Sequence, residues 1–276
     1  VHTFGTVGTG GFSSYNDGIA HFGSVYIEVV IIVFMILCGT NFNLFFLSFK
    51  QKYNYFIHDS EFKMYTGIIL IFSILIALNL YFSGVFESGD SIRHAVFNVS
   101  SVITTTGYAT ADFNMWPTLS KVILFILMFI GACAGSTAGG LKVSRIVLIF
   151  KNIKANLKHM LHSRSVESIR FEGSKIEKDT IVGTLGYFAI YFLCFTVIFL
   201  LLCFEPFDLE TNLSAVAACF NNVGPGFAGV GPTSSYAEYS VFSKFLLSFA
   251  MLLGRLEIYP ILLLFTPKIW ATSKRK

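Results

Sequence analysis

Long apolar runs are the feature that most constrains how this chain can fold. Hydrophobic residues make up 54% of its 276 residues and charged residues only 13%, which is more apolar material than one soluble core can bury. Each run reaches the roughly 20 residues with which an α-helix crosses about 30 Å of hydrocarbon. We therefore predict an all-α polytopic membrane protein, whose five candidate spans lie approximately at 24–49, 65–83, 119–150, 180–204 and 241–265.

The distribution of charge predicts the orientation of these spans. Most Lys and Arg residues lie in 50–63, 151–178 and 268–276, and the positive-inside rule places such segments in the cytoplasm. The opposite connections carry mainly acidic residues, which would concentrate cations at an outer vestibule. The net charge of +4 is explained by this topological bias, so we expect the lipid bilayer as a partner and no nucleic acid.

Three short polar segments containing glycine interrupt the apolar pattern, at 6–10 (TVGTG), 105–109 (TTGYA) and 222–226 (NVGPG). Each precedes a long hydrophobic run. Backbone that is neither helix nor sheet is tolerated at membrane depth only where protein or a water-filled cavity satisfies its polar groups. The three segments therefore predict re-entrant pore loops that line an ion pathway.

The segments belong to a repeated unit of span, short helix, glycine segment and second span. The short helices, predicted at 90–104 and 208–221, point their negative C-terminal ends at the glycine segments and favour a cation there, although plain surface helices remain an alternative. The predicted divisions are a half unit at 1–49, a cytoplasmic connection at 50–64, a whole unit at 65–150, a basic cytoplasmic linker at 151–179, a second whole unit at 180–267 and a cytoplasmic tail at 268–276.

Small and polar residues interrupt the span that follows each segment, at 39–41, 131–140 and 254–255. Small residues in membrane helices also permit close helix packing, which stays open for Gly39. The ten consecutive small or polar residues of 131–140 predict a broken helix whose loop lies across the pore. We assign six of its residues to a gate, namely Gly131, Gly135, Ser136, Thr137, Gly139 and Gly140.

Arg255 lies inside the last span, where an ionisable side chain costs about 2.5 to 3.5 kcal/mol and is functional by default. Below a cation filter, its charge would act as an electrostatic barrier. We therefore predict that Arg255 and the 131–140 loop form the constriction. The alternative is a structural ion pair between Arg255 and Glu257 or a carboxylate on another span.

A potassium ion that enters a narrow pore must exchange its hydration water for protein oxygens, and converging backbone carbonyls can supply them. The glycine at the third position of each segment permits the backbone angles that this requires. The segments differ from one another in the residues around that glycine. We expect selection for large monovalent cations, potassium first, with incomplete rejection of sodium.

The motifs at 6–12, 104–113, 131–143, 221–226 and 254–257 resemble the Trk/Ktr superfamily of potassium transporters, closest to its TrkH members. The resemblance implies four pore-loop repeats around a pseudo-fourfold axis, a homodimer, a cytosolic ring of TrkA-type nucleotide-binding subunits, and potassium as the transported ion in the inner (plasma) membrane. It also implies nine ion-lining residues, namely Thr6, Val7, Gly8, Thr105, Thr106, Gly107, Asn222, Val223 and Gly224.

Three loops cannot close a fourfold filter. From comparison with the family pattern, we expect this chain to be a C-terminal fragment that lacks the first repeat and the front half of the second. The alternative function is a membrane scaffold or sensor whose pore-like loops merely pack. An enzyme is not predicted, because no histidine pairs with a nucleophile or shows metal-ligand spacing.

Overall fold

The computed structural model describes residues 1–51, 56, 58–162, 169–171 and 174–266, and most of these residues are helical. A two-stranded antiparallel hairpin, β1 (Arg170–Phe171) and β2 (Ser174–Lys175), lies within the predicted basic linker. The predicted tail lies outside the described residues. The helices are α1 (His2–Val7), α2 (Val25–Cys38), α3 (Phe42–Gln51), α4 (Ser60–Phe82), α5 (Ser88–Ile103), α6 (Thr118–Ile130), α7 (Val143–Leu161), α8 (Lys178–Leu202), α9 (Leu209–Phe220), α10 (Val241–Leu256) and α11 (Ile258–Leu264).

The helices that could cross a membrane are fewer and more broken than the sequence predicts. In the described residues, α4 and α8 are each long and apolar enough to span alone, and the bent pairs α2–α3 and α10–α11 raise the number to four if each pair is one span. The predicted span at 119–150 is not continuous, because α6 ends at Ile130 and α7 begins at Val143. The broken helix predicted there is confirmed.

Helices α5 and α9 form the buried centre of the fold. They contain 16 and 12 residues, which is too short to cross a bilayer. Each packs between the long helices around it: α5 against α4, α2 and α6, and α9 against α10 and α8. The run Ser214–Phe220 is buried throughout, and its small residues let the neighbouring helices approach closely. The repeated arrangement of helix, loop and helix is thereby confirmed.

The N-termini of α5 and α9 are capped differently. Asp208 caps α9, because its carboxylate accepts hydrogen bonds from the backbone N–H and side-chain hydroxyl of Thr211. At α5 the helix begins at Ser88, two residues before the predicted start at 90, and its N-cap Glu87 makes no side-chain capping bond. Asp90 instead forms an ion pair with Arg93 at 3.2 Å.

The cap at Asp208 makes a testable contribution to stability. Asp208→Ala leaves the first-turn N–H groups of α9 without this acceptor, which costs about 1 kcal/mol, or about 2 to 4 °C of melting temperature for a chain of this size. Asp208→Asn should retain most of that stability, because Asn is also a good N-cap. Thermal unfolding in detergent measures both variants, and equal melting temperatures for Ala and wild type would contradict the assignment.

The stability that Asp208 supplies also depends on pH. Hydrogen bonds from Thr211 lower the pKa of Asp208 below its ordinary value. Because the folded-state pKa is depressed, this stabilisation is present above the unfolded-state pKa and is lost as the pH falls through the folded-state pKa. The difference in melting temperature between wild type and Asp208→Ala should therefore shrink in acid.

Two bends redirect the chain at the other predicted interruptions. The axes of α2 and α3 differ by 85°, and those of α10 and α11 by 112°. The first bend falls at 39–41 as predicted. The second falls at Glu257 rather than at 254–255, because α10 remains helical through Leu256 and Glu257 adopts φ +63°.

Candidate ion pathway

The three glycine segments share one backbone conformation. The repeated conformation begins with a residue of positive φ, which is Thr9 (φ 49°), Thr105 (φ 54°) and Asn222 (φ 57°). In the first segment this residue is the fourth of the predicted range 6–10, whereas in the other two it is the first. Two positions later stands a glycine with positive φ, at Gly11 (64°), Gly107 (82°) and Gly224 (101°). The backbone N–H groups repeat as well: those of Gly10 and Gly11 are both bonded to the Gly5 carbonyl, those of Thr106 and Gly107 to Ser101, and those of Val223 and Gly224 to Ala218.

This repetition corrects the alignment of the first segment by three residues. Gly8 has φ −82° and ψ 0° at the end of α1, and its counterparts are Thr104 and Asn221, which end α5 and α9 with nearly the same angles. The counterpart of Gly107 is therefore Gly11. Thr6 and Val7 lie within α1, where the Thr6 hydroxyl donates to the His2 carbonyl.

The segments contact one another in chain order. A Cβ added to Gly11 would lie 1.9 Å from the carbonyl oxygen of Thr106, and one added to Gly107 would lie 1.9 Å from that of Val223. A Cβ on Gly224 would have no neighbour within 4 Å among the described residues. Gly11 thus lies against a carbonyl of the second segment, and Gly107 lies against a carbonyl of the third. Gly224 in the third segment borders open space.

The carbonyl groups at these contacts have no hydrogen-bond partner in the described part of the chain. Thr106 and Val223 are 1% and 2% exposed, yet no donor among the described residues is hydrogen-bonded to their carbonyl oxygens. Buried backbone carbonyls are normally paired. A weakly hydrated cation can satisfy such oxygens, and the negative C-terminal ends of α5 and α9 favour positive charge beside them.

Two side chains outside the predicted filter residues, Tyr108 and Asn114, fix the relative position of the segments, and sequence reasoning assigned neither of them a role. The Tyr108 hydroxyl contacts the carbonyl oxygens of His2 and Phe12 at 3.2 and 3.1 Å, which joins the second segment to the first. The Asn114 side chain both accepts from the Ala228 N–H at 2.9 Å and donates to the Ala228 carbonyl at 3.3 Å. Because these partners are about 100 residues apart in the chain, no local pattern indicates them.

The loop between α6 and α7 lies directly against the three segments. The Thr9 hydroxyl donates to the Thr137 carbonyl at 2.9 Å, and the Gly139 N–H donates to the Thr105 hydroxyl at 2.7 Å. A Cβ on Gly139 would lie 2.5 Å from the Asn221 carbonyl oxygen. The loop therefore contacts the base of each segment, and glycine at 139 permits the closest approach.

The interruptions of the other spans pack against this same loop. Gly39 accepts a hydrogen bond from the Cys133 N–H at 3.0 Å, and Gly135 accepts one from the Phe42 N–H at 3.2 Å. Gly39 also packs closely, because a Cβ there would lie 2.4 Å from the Tyr65 hydroxyl. Both interpretations of Gly39, a helix break and a close packing position, are realised.

Arg255 reaches the loop as the sequence predicts. Its guanidinium donates to the carbonyl of Thr137, and it lines a cavity of about 270 Å³ together with Gly135, Ser136 and Gly140. Gly131 lies at the base of the loop, where its Cβ position faces Gly139 and Gly140. Arg255 thus lies against the predicted loop, on the same side of the glycine segments as that loop.

The alternative structural ion pair of Arg255 is not realised. Glu257 pairs instead with Arg145 of α7 at 2.8 Å, and the guanidinium of Arg145 stacks on the Tyr187 ring at 3.9 Å. Among the described residues, Arg255 makes no ion pair with a carboxylate. Lys142 donates to the Ala138 carbonyl, so it too is drawn into the loop.

A separate cavity borders the glycine segments. It has a volume of about 420 Å³ and is lined by Gly11 and Gly107 together with Asp17 and Asp112. It shares no lining residue with the Arg255 cavity. Its two carboxylates give it negative charge, which raises the local concentration of cations, as the acidic outer connections predict.

Comparisons with known proteins agree with this architecture. The family model for TrkH, described as cation transport protein, matches residues 1–272. The chain is 35% identical over 271 residues to the Trk system potassium uptake protein TrkH of Salmonella typhimurium, an alignment that covers 98% of this chain and 56% of that protein. It is also 35% identical over 271 residues to the Trk system potassium uptake protein TrkG of Escherichia coli K12, and this alignment covers 55% of that protein.

The fold also matches a solved structure. The crystal structure of the potassium transporter TrkH from Vibrio parahaemolyticus superposes with a TM-score of 0.90 at 34% sequence identity, and the match covers 98% of this chain and 58% of that one. This chain thus spans a little more than half the length of the relatives that it matches.

Proposed function

The chain belongs to the TrkH family of cation transport proteins, and from this premise we propose that the complete protein takes up potassium ions through a filter of backbone carbonyls. The family comprises membrane transporters and not enzymes. The observation that supports the proposal best is the contact, in chain order, of three similarly folded segments whose carbonyl groups at Thr106 and Val223 have no hydrogen-bond donor among the described residues.

We propose a revised set of filter residues. Thr105, Thr106 and Gly107 keep the positions that the resemblance implies, as do Asn222, Val223 and Gly224. In the first segment the equivalent residues are Thr9, Gly10 and Gly11, since these repeat the φ pattern of the other two. A pseudo-fourfold ring requires a fourth segment on the open side of Gly224, so conduction is a property of the complete protein.

The gate in this proposal consists of the 131–140 loop and Arg255. Hydrogen bonds hold the loop against the bases of the segments through Thr137 and Gly139. The guanidinium of Arg255 at Thr137 repels a second cation in the same passage. Opening requires that the tip of the loop and Arg255 move away from the segments.

The partners implied by the family resemblance are proposals of the same kind. They are a second copy of the complete protein, forming a homodimer in the inner (plasma) membrane, and a cytosolic TrkA-type nucleotide-binding ring that controls the gate. Light scattering of the purified complete protein, with and without such a ring, tests both. A monomer that binds no ring would contradict this part of the proposal.

Rubidium uptake by the complete protein in cells that lack potassium uptake systems tests the proposed function. We expect uptake that saturates with rubidium and is reduced by competing potassium more than by competing sodium. Absence of uptake at normal membrane levels of the protein would contradict the proposal and favour a scaffold or sensor with packed, non-conducting loops.

A further inference from the structure

Glu61 is a buried carboxylate that none of the preceding roles involves. It lies in the first turn of α4 and is only 2% exposed. One of its oxygens, Oε1, accepts hydrogen bonds from two backbone N–H groups, that of Ala134 at 2.7 Å and that of Ser144 at 2.8 Å. A carboxylate removed from water is stable only where such partners compensate for the lost hydration.

The two donors lie before and after the tip of the gating loop, which contains Thr137 and Gly139. Ala134 belongs to the first half of the loop, whereas Ser144 is the second residue of α7, which begins after the loop ends. The first N–H groups of a helix have no partner within the helix, and the positive end of the helix dipole favours an anion there. One carboxylate oxygen therefore joins the two ends of the loop.

Other contacts show that the loop has a closed base and a separate tip. The Val143 N–H donates to the Ala132 carbonyl at 3.0 Å and the Leu141 N–H to that of Phe129 at 3.1 Å. These backbone bonds and the Glu61 carboxylate lie at the base. The bonds to the glycine segments and to Arg255 come from Thr137 and Gly139 at the tip.

The neighbouring acidic residue does not share this role. Asp59 caps α4 by accepting from the Phe62 N–H at 2.6 Å. Glu61 makes no capping bond in its own helix, so its carboxylate is committed to the loop. Within the described residues, α4 is also one of two helices that are long and apolar enough to span a membrane alone, and it provides a fixed support.

We propose that Glu61 is a positioning residue of the gate, which anchors the base of the 131–140 loop to α4 so that only the tip and Arg255 move on opening. This inference rests on the proposed function. Hydrogen bonds to a charged acceptor are roughly twice as strong as neutral ones, so the anchor depends on the negative charge. Weakening it lets the loop leave its closed position more often while the filter segments keep their own contacts.

The variant Glu61→Gln tests the anchor, and Glu177→Gln is the matched control. Glu177 is exposed at the start of α8 and makes no side-chain capping bond there. In the complete protein, Glu61→Gln should raise the maximal rate of rubidium uptake by roughly threefold or more. The KM for rubidium and the preference for rubidium over sodium should not change, and the control should match wild type throughout. A maximal rate equal to or below that of wild type, at equal amounts of protein in the membrane, would overturn the proposal.

The variant Ser144→Pro provides a second test that leaves the carboxylate in place. Proline is compatible with a first helical turn and lacks the N–H group, so one of the two bonds to Glu61 is lost. Its maximal rate should rise by a smaller factor than that of Glu61→Gln, again without a change in selectivity. If either variant reaches the membrane and its maximal rate is at or below that of wild type, the anchor is contradicted. Absence of uptake by wild type contradicts the proposed function itself.

Discussion

Alanine at Gly11 is expected to remove nearly all rubidium uptake, whereas alanine at Gly8 leaves it close to wild type. Gly11 has φ +64°, and a Cβ there would lie 1.9 Å from the carbonyl oxygen of Thr106. The left-handed conformation alone costs a non-glycine residue about 1 to 2 kcal/mol. A cost of about 2 kcal/mol shifts the equilibrium between intact and disrupted filter roughly 30-fold toward the disrupted form, before the separation of the two segments is included.

Gly8 is the matched control because it lies three residues away in the same segment. Its backbone angles are those of Thr104 and Asn221 at the equivalent positions, and both of these residues carry side chains. Alanine at Gly8 therefore needs no left-handed conformation. Its Cβ would lie 3.0 Å from the Phe4 carbonyl oxygen, a tight contact that a small backbone shift relieves. Uptake assays on both variants, at equal membrane levels, measure the contrast. Loss of uptake in Gly8→Ala with retention in Gly11→Ala would restore the sequence-based alignment and contradict the corrected one.

Removal of the charge at Arg255 is expected to have the opposite effect on flux. Arg255→Ala should raise the rate of rubidium uptake roughly fivefold or more, because the repulsion of a unit charge at about 4 Å amounts to about 1 kcal/mol even at the polarity of water. It also removes the hydrogen bond that holds Thr137 at the tip of the loop.

The charge-conserving variant separates these two contributions. Arg255→Lys keeps the positive charge but loses the planar fork of donors, so its uptake rate should stay nearer to wild type than that of Arg255→Ala. Initial rates at saturating rubidium measure both. Equal rates for Ala and wild type would show that Arg255 contributes no barrier.

Features with a local signal in the sequence were predictable. The short helices before the second and third segments, the break at 131–140 and the importance of Arg255 follow from span length, small-residue runs and the cost of a charge at membrane depth. The structure places Arg255 against that loop. The function of these residues stays a prediction until flux is measured.

The alignment of the first segment was not predictable because glycine occurs at positions 8, 10 and 11. The backbone angles of the folded chain show that Gly11, with φ +64°, has the left-handed conformation. Likewise, Glu61 precedes the apolar run that predicts a span from residue 65, so it was assigned to a cytoplasmic connection. Its partners lie 73 and 83 residues away, and no pattern within the chain indicates such a contact.

The most direct test of the central claim is the position of the ion itself. Anomalous scattering from rubidium or thallium in crystals of the complete protein locates a bound monovalent cation. We predict a peak within about 3 Å of the carbonyl oxygens of Thr106 and Val223, beside the contacts with Gly11 and Gly107. A filter region without a peak at saturating ion concentration, or a peak only at side-chain carboxylates such as Asp17 and Asp112, would contradict the account.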